Sequence, residues 1–246
     1  MINPNAAFDE LAPNYDSDGS HRTLAERLVA GLAPLRAKAT VLDVATGTGA
    51  AAFAALRRLD ITRVVAVDIS EGMIQRARQA ATTADPTGRI EWQVAAGVPA
   101  PMPAGSADLV LCASSLQFLG RAALTDWLRV LRPGGQVAFT LTSAACFRPS
   151  GAFAELAAAD LPMPADEQQA ARIAGEAGFE NVAVTTVEIA GDRPKVVFLV
   201  YGTAEEAKFD SGDEQVSELV IQERAERPGG DQDRGVPEAD GQQGHA

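Results

Sequence analysis

Apolar positions along this chain follow two alternating rhythms. Short, apolar, partly β-branched runs recur at 41–44, 64–67, 90–94, 107–113 and 136–141, each suited to a strand of a buried parallel sheet. Between them lie segments with helical spacing. Leu24, Leu28 and Leu32 form one stripe, Phe53 and Leu56 mark another within 50–59, and Leu124, Trp127, Leu128 and Leu131 recur at i, i+3, i+4 and i+7 within 120–131. Ser70 is placed to cap a helix reaching about Thr83, with Glu71 in its positive first turn, and a further helix is expected at about 166–178. Two more extended runs, 182–189 and 195–201, follow it. The three prolines of 98–106 remove donors and fix the backbone, so that stretch is expected to be irregular. Regular alternation of this kind predicts an α/β chain with a doubly wound, mostly parallel sheet.

The first strand runs directly into Ala45-Thr46-Gly47-Thr48-Gly49 and then into the strong helix formers that begin at Ala50. Gly47 and Gly49 let backbone approach a ligand closely at the positive end of that helix, the arrangement by which doubly wound sheets hold nucleotide-type ligands. Asp68 closes the second strand nineteen residues after Gly49, where a carboxylate accepts hydrogen bonds from both hydroxyls of a ribose. Asp43, beside the loop, would repel a pyrophosphate and complement an ammonium or a sulfonium. The ligand these residues suit is a nucleoside carrying positive charge. Ligands of open parallel sheets lie beyond the carboxyl ends of the strands, which also brings Ser114, Ser115 and Gln117 to the crevice.

Val-Leu-Asp-Val-Ala-Thr-Gly-Thr-Gly at 41–49 and Val-Ala-Val-Asp-Ile-Ser-Glu-Gly-Met at 65–73 resemble the first two motifs of class I S-adenosylmethionine-dependent methyltransferases. Leu131-Arg132-Pro133-Gly134-Gly135 extends the likeness, which covers roughly 8–204. The resemblance implies a Rossmann-like sheet of seven strands, mostly parallel with an antiparallel last strand, and S-adenosyl-L-methionine as cofactor. It implies that Asp43, Gly47, Gly49 and Asp68 surround the cofactor, with Ala45, Thr46, Ile69 and Ser114 beside them and Met73 against the adenine. Where the family commonly carries an acid for the adenine amino group, this chain has Ala95-Ala96-Gly97, so only backbone at Ala96 and Gly97 is left to recognise that edge. The family often folds its N-terminal segment into a lid. Tyr15, His21 and Arg22 therefore enter as site candidates, His21 and Tyr15 as candidate bases, and Gln117, Ser115, Arg148 and Arg22 as contacts to the acceptor.

The domain organisation expected is a lid over 1–37, a cofactor-binding domain over 38–204 and an acidic tail over 205–246, mostly disordered, with one short helix between Asp213 and Arg227. Twelve of the 33 acids fall after residue 203 against four of the 21 Lys and Arg, which places −8 of the net −12 in the tail. Nothing forms the basic footprint that nucleic acid requires. No apolar run reaches the length of a membrane span, and the opening Met-Ile-Asn-Pro-Asn-Ala-Ala-Phe-Asp-Glu lacks the basic start and apolar core of a signal peptide, so a cytoplasmic location is expected. The two cysteines, Cys112 and Cys146, give no disulfide framework, and with only His21 and His245 besides them no metal site is expected. Oligomeric state is not assigned.

The function expected is methyl transfer to a small-molecule acceptor, at oxygen, in a biosynthetic pathway. Two alternatives stand beside it: a protein that binds S-adenosylmethionine without methylating, which the missing acid at Ala96 favours, and a nicotinamide-dependent dehydrogenase, which Asp43 and the closing pair of strands disfavour.

Overall fold

In the computed structural model of the chain, residues 3–15, 17, 19–190 and 194–206 are described. All belong to a compact unit, Met1–Ala207; the second unit, Lys208–Ala246, lies outside the described residues, as do the expectations of a helix and disorder there. Asp16 and Asp18 of the break between the first two helical segments lie outside them too.

Seven strands form one sheet. In chain order they are β1 (Ala39–Val44), β2 (Ile61–Asp68), β3 (Ile90–Val94), β4 (Ala107–Cys112), β5 (Leu131–Thr142), β6 (Glu180–Ile189) and β7 (Lys195–Thr203), and they lie side by side in the order β3-β2-β1-β4-β5-β7-β6. The first five pair in parallel, and β7 runs antiparallel to both neighbours, so it alone is reversed. Successive residues of the central strands feed opposite faces, which is why their apolar runs are unbroken. Leu42, Val44, Val65 and Val67 join one apolar cluster with Trp127 and Phe139, while Val41, Val64 and Ala66 join the other with Leu28 and Phe53. Burying each such side chain contributes about 1.5–3 kcal/mol.

Among the described residues, eight α-helices and one 3-10 turn (Ala12–Asn14) accompany the sheet: α1 (Pro4–Leu11), α2 (Ser20–Ala30), α3 (Ala50–Arg58), α4 (Glu71–Ala84), α5 (Leu116–Leu119), α6 (Arg121–Val130), α7 (Ala152–Leu156) and α8 (Glu167–Glu176). The caps follow the sequence. Ser70 Oγ accepts from the Met73 amide and Asp166 from the Gln169 amide, each satisfying an orphan donor of its helix. Three helices, α1, α5 and α7, have no counterpart in the apolar pattern, because eight residues or fewer carry no sustained stripe. The last strand before the reversal also begins earlier than expected. Leu131 already pairs with Ala107, and α6 therefore stops at Val130.

The proline-rich connection is irregular as its composition requires, but it is fastened. Asp126 accepts from the Ala100 amide at 2.6 Å, and Arg129 donates to the carbonyls of Met102 and Ala100 at 2.8 and 3.0 Å. At the amino end of β4, buried Asp108 meets Arg36 at 2.5 Å, Arg132 at 2.9 Å and the Thr40 amide at 2.7 Å, tying β1, β4 and the start of β5 together.

Candidate active site

β1 lies between β2 and β4, so the chain leaves it at the point where the strand order reverses, and Asp43 sits one residue from its carboxyl end. The loop that follows turns sharply, with Ala45 at φ +52°, Gly47 at +56° and Gly49 at +90°. A side chain at Gly49 would meet the Trp92 ring at 2.5 Å, so only glycine fits there. The two carboxylates hold the loop. Asp43 Oδ2 accepts from the Thr46 hydroxyl at 2.6 Å and the Ala52 amide at 3.0 Å, while Asp68 accepts from the Gly47 amide at 2.8 Å and the Ser70 amide at 2.9 Å. A carboxylate has about four acceptor positions, so Asp68 keeps capacity for the hydroxyls of a sugar.

The other oxygen of Asp43, Oδ1, is buried without a hydrogen-bond partner. Burial pushes this carboxyl up from 3.8 to about 7, against the lowering effect of the Thr46 and Ala52 bonds. Burial also raises Asp68, offset in part by the Ser70 and Gly47 amides. Such a buried, half-satisfied acid favours a cation beside it.

Two cavities flank the loop. The larger has a volume of about 190 Å³ and is lined by Asp68, Ile69, Met73, Gly97, Phe8, Phe118, Leu119 and Leu156. The smaller, a narrow cleft of about 10 Å³, is bounded by Asp43, Thr46, Thr48, Ala113 and His21. Tyr15 and Ala45 belong to both walls. A methyl group on Gly47 would come within 3.4 Å of the Tyr15 ring, so the phenol lies close over the loop. Tyr15 and His21 stack with ring centroids 4.2 Å apart and planes 15° from parallel, and the phenol oxygen is 3.3 Å from His21 Nδ1.

Of the residues singled out in the sequence, Asp43, Ala45, Thr46, Gly47, Asp68, Ile69, Met73, Gly97, Ser115, Tyr15 and His21 line one or both cavities. Others stand elsewhere. Gly49 acts through the loop's shape. Ala96 is exposed and leaves the wall to Gly97, and Ser114 spends its amide on Thr140 Oγ1 at 2.8 Å. Gln117 is turned inward and donates to the Ser114 carbonyl at 2.6 Å, and Arg148 folds back onto the Ala144 and Phe147 carbonyls. Arg22 is exposed on the first turn of α2. Sequence reasoning missed the apolar wall. Phe8, Phe118 and Phe153 form an aromatic cluster with centroids 5.4–6.0 Å apart, and no periodicity links residues from three short helices. Among the described residues no three His, Cys, Asp or Glu side chains gather where a metal ion could be held, and no helix is long and apolar enough to cross a membrane.

Comparison with known proteins agrees with this geometry. Residues 41–135 match the family described as the methyltransferase domain. The ubiquinone/menaquinone biosynthesis C-methyltransferase UbiE of Dinoroseobacter shibae is 34% identical over 138 residues, 53% of this chain and 55% of that protein. Its counterpart in Hydrogenovibrio crunogenus is 34% identical over 139 residues, 53% of this chain and 54% of that protein. The chain thus spans about half the length of the curated relatives it matches. Among solved structures, the methyltransferase in a complex with the Trm112 methyltransferase activator of Haloferax volcanii superposes with a TM-score of 0.64 at 20% identity, covering 84% of this chain and all of that one. The phosphoethanolamine N-methyltransferase 2 of Haemonchus contortus, solved with S-adenosyl-L-methionine, gives 0.61 at 14% identity over 84% of this chain and 61% of that one. At these identities the superpositions speak to the fold.

Proposed function

We propose that this chain, whose residues 41–135 match the methyltransferase domain family, is a class I S-adenosylmethionine-dependent methyltransferase that methylates a compact, largely apolar ring bearing an ionisable hydroxyl. The observation that carries the proposal is the pair of cavities beside the glycine loop, one lined by Asp43, whose Oδ1 is buried and without a partner among the described residues, and the other by Phe8 and Phe118.

The residues present fit the cofactor. Asp43 Oδ1 is a buried acceptor suited to the ammonium of the methionine part, Asp68 suits the ribose hydroxyls, and Met73 with Gly97 suits the adenine. When bound, the cofactor supplies an electrophilic methyl group on a sulfonium. What the chain supplies is alignment and dryness: a nucleophile held against one face of the methyl by Phe8, Phe118 and Leu119, with water kept out by the same side chains. In this reading Tyr15, which lines both cavities, takes the hydroxyl proton of the acceptor, and His21, which lines the smaller cavity and stacks on it with Nδ1 3.3 Å from the phenol oxygen, backs it as the second base.

Removing that proton from a ring hydroxyl leaves a nucleophile that can react at oxygen or at a neighbouring carbon. Oxygen is what the sequence alone suggests; the relatives are named C-methyltransferases, and we take carbon as the reacting atom and oxygen as the competing outcome. The test is calorimetry with S-adenosylmethionine and S-adenosylhomocysteine, followed by turnover with phenolic and quinol acceptors and NMR of the product. Submicromolar to micromolar binding of both nucleosides with a methylated ring product supports the proposal. Binding without turnover on any hydroxylated ring would overturn the acceptor class, and absence of binding would overturn the cofactor assignment.

A further inference from the structure

We infer that Asp9 is a positioning residue that seats α1 as a roof over the larger cavity and ties the acceptor's wall to the turn that holds the cofactor. The inference rests on the cofactor placement proposed above and adds the device that couples its two ends. A single oxygen, Asp9 Oδ1, accepts from the Ser70 hydroxyl at 2.5 Å and from the Gly72 amide at 3.0 Å. Ser70 is fully buried and its own amide donates to Asp68 at 2.9 Å, so Asp9 reaches the ribose acid through one residue. The Ser70 bond, the larger cause, and then the Gly72 bond hold the Asp9 carboxyl below the ordinary carboxylate range, so it is ionised at neutral pH.

Two further contacts belong to the same seat. A methyl on Gly72 would lie 3.3 Å from Ala12 Cβ and 3.3 Å from Asp9 Oδ1, so the missing side chain lets the segment close down. One turn on, Arg76 donates to the Pro13 carbonyl at 2.6 Å. The cavity-facing side of α1 carries Pro4 and Phe8, four residues apart, and Phe8 packs edge-on against Phe118 and Phe153 at 5.8 and 5.4 Å. One eight-residue helix therefore bridges the start of α4 and the aromatic wall built by α5 and α7. An occupant of the cavity touches both α4 and α1, so it favours the seated form, and any loss of seating weakens its apparent affinity by the fraction seated.

The test compares Asp9→Ala, which removes the shared acceptor, with Asp9→Asn, whose amide oxygen can still accept both bonds. Asp9→Ala is expected to raise the Kd for S-adenosylhomocysteine about tenfold, through faster dissociation at unchanged association, and Asp9→Asn to stay within about threefold of wild type. Hydrogen exchange of residues 5–14 should accelerate in Asp9→Ala alone, with β1 and β4 unchanged. Unaltered dissociation in Asp9→Ala would leave Asp9 as a helix-capping residue only and overturn the inference, as would Asp9→Asn behaving like Asp9→Ala. If wild type binds neither nucleoside, the cofactor assignment fails separately, and the exchange measurement, which needs no ligand, still decides whether Asp9 seats α1.

Discussion

Replacing Asp43 by Asn tests the electrostatic logic of the site at its centre. The wild-type carboxyl titrates at about 7 in the folded chain against 3.8 as its ordinary value, burial being the main cause. Between those two values the folded state binds more protons than the unfolded one, so stability falls as pH rises from about 4 to about 7 and is level above that. Three pH units correspond to about 4 kcal/mol, of which about 3 kcal/mol falls between pH 5 and pH 8. Asn keeps an oxygen for the Thr46 hydroxyl and the Ala52 amide but places an NH₂ where Oδ1 has no partner, a constant penalty of about 1–3 kcal/mol at every pH. Urea unfolding at pH 5, 6, 7 and 8 should therefore show wild type losing about 3 kcal/mol relative to Asp43→Asn across that range, with equal m-values. A gap between the two proteins that does not change with pH would refute the buried, half-satisfied carboxylate. The same titration predicts that S-adenosylmethionine binds wild type more tightly as pH rises through about 7, and binds Asp43→Asn weakly at every pH.

Ala45→Gly should stabilise the chain by about 1 kcal/mol, since it relieves a left-handed alanine at φ +52° worth about 1–2 kcal/mol and costs about 0.4–1 kcal/mol in unfolded-chain entropy; a melting temperature that drops would contradict this. Gly97→Ala should destabilise by about 1–3 kcal/mol, because its methyl would stand 2.7 Å from Val44 Cγ1, and a melting curve equal to wild type would show that the wall yields. His21→Gln is expected to lower kcat by about 100-fold with the cofactor's Kd within about twofold, and a Kd that moves as much as kcat would remove His21 from proton transfer. Phe118→Ala should raise the acceptor's KM more than the cofactor's Kd, which moves only as far as α1 loses its seat, as read by parallel calorimetry and kinetics.

The strands and the glycine loop with its two acids were legible because each rests on a local rule. Five parallel strands announce themselves as unbroken apolar runs, Ser70 as a cap, and Asp43 and Asp68 as acids at strand ends. The aromatic wall was not, because Phe8, Phe118 and Phe153 come from helices of four to eight residues that meet only through the tertiary fold. The start of α1 did carry a signal, Asn3 as cap followed by Pro4 at the first helical position, and weighing it would have brought Asp9 into view. Gln117 and Arg148 show what topology alone leaves open. Arg148 and the amide nitrogen of Gln117 donate to nearby backbone carbonyls, while Gln117 Oε1 stays buried without a partner among the described residues.

β1 and β4 run between two buried acids of opposite circumstance. Asp108 at their amino ends is matched by two guanidinium groups and an amide, while Asp43 at the carboxyl end of β1 keeps an oxygen that no described residue answers. Matched and unmatched charge are thus segregated to opposite ends of the same strands. Removing Arg36 or Arg132 would give Asp108 the deficit that Asp43 already carries.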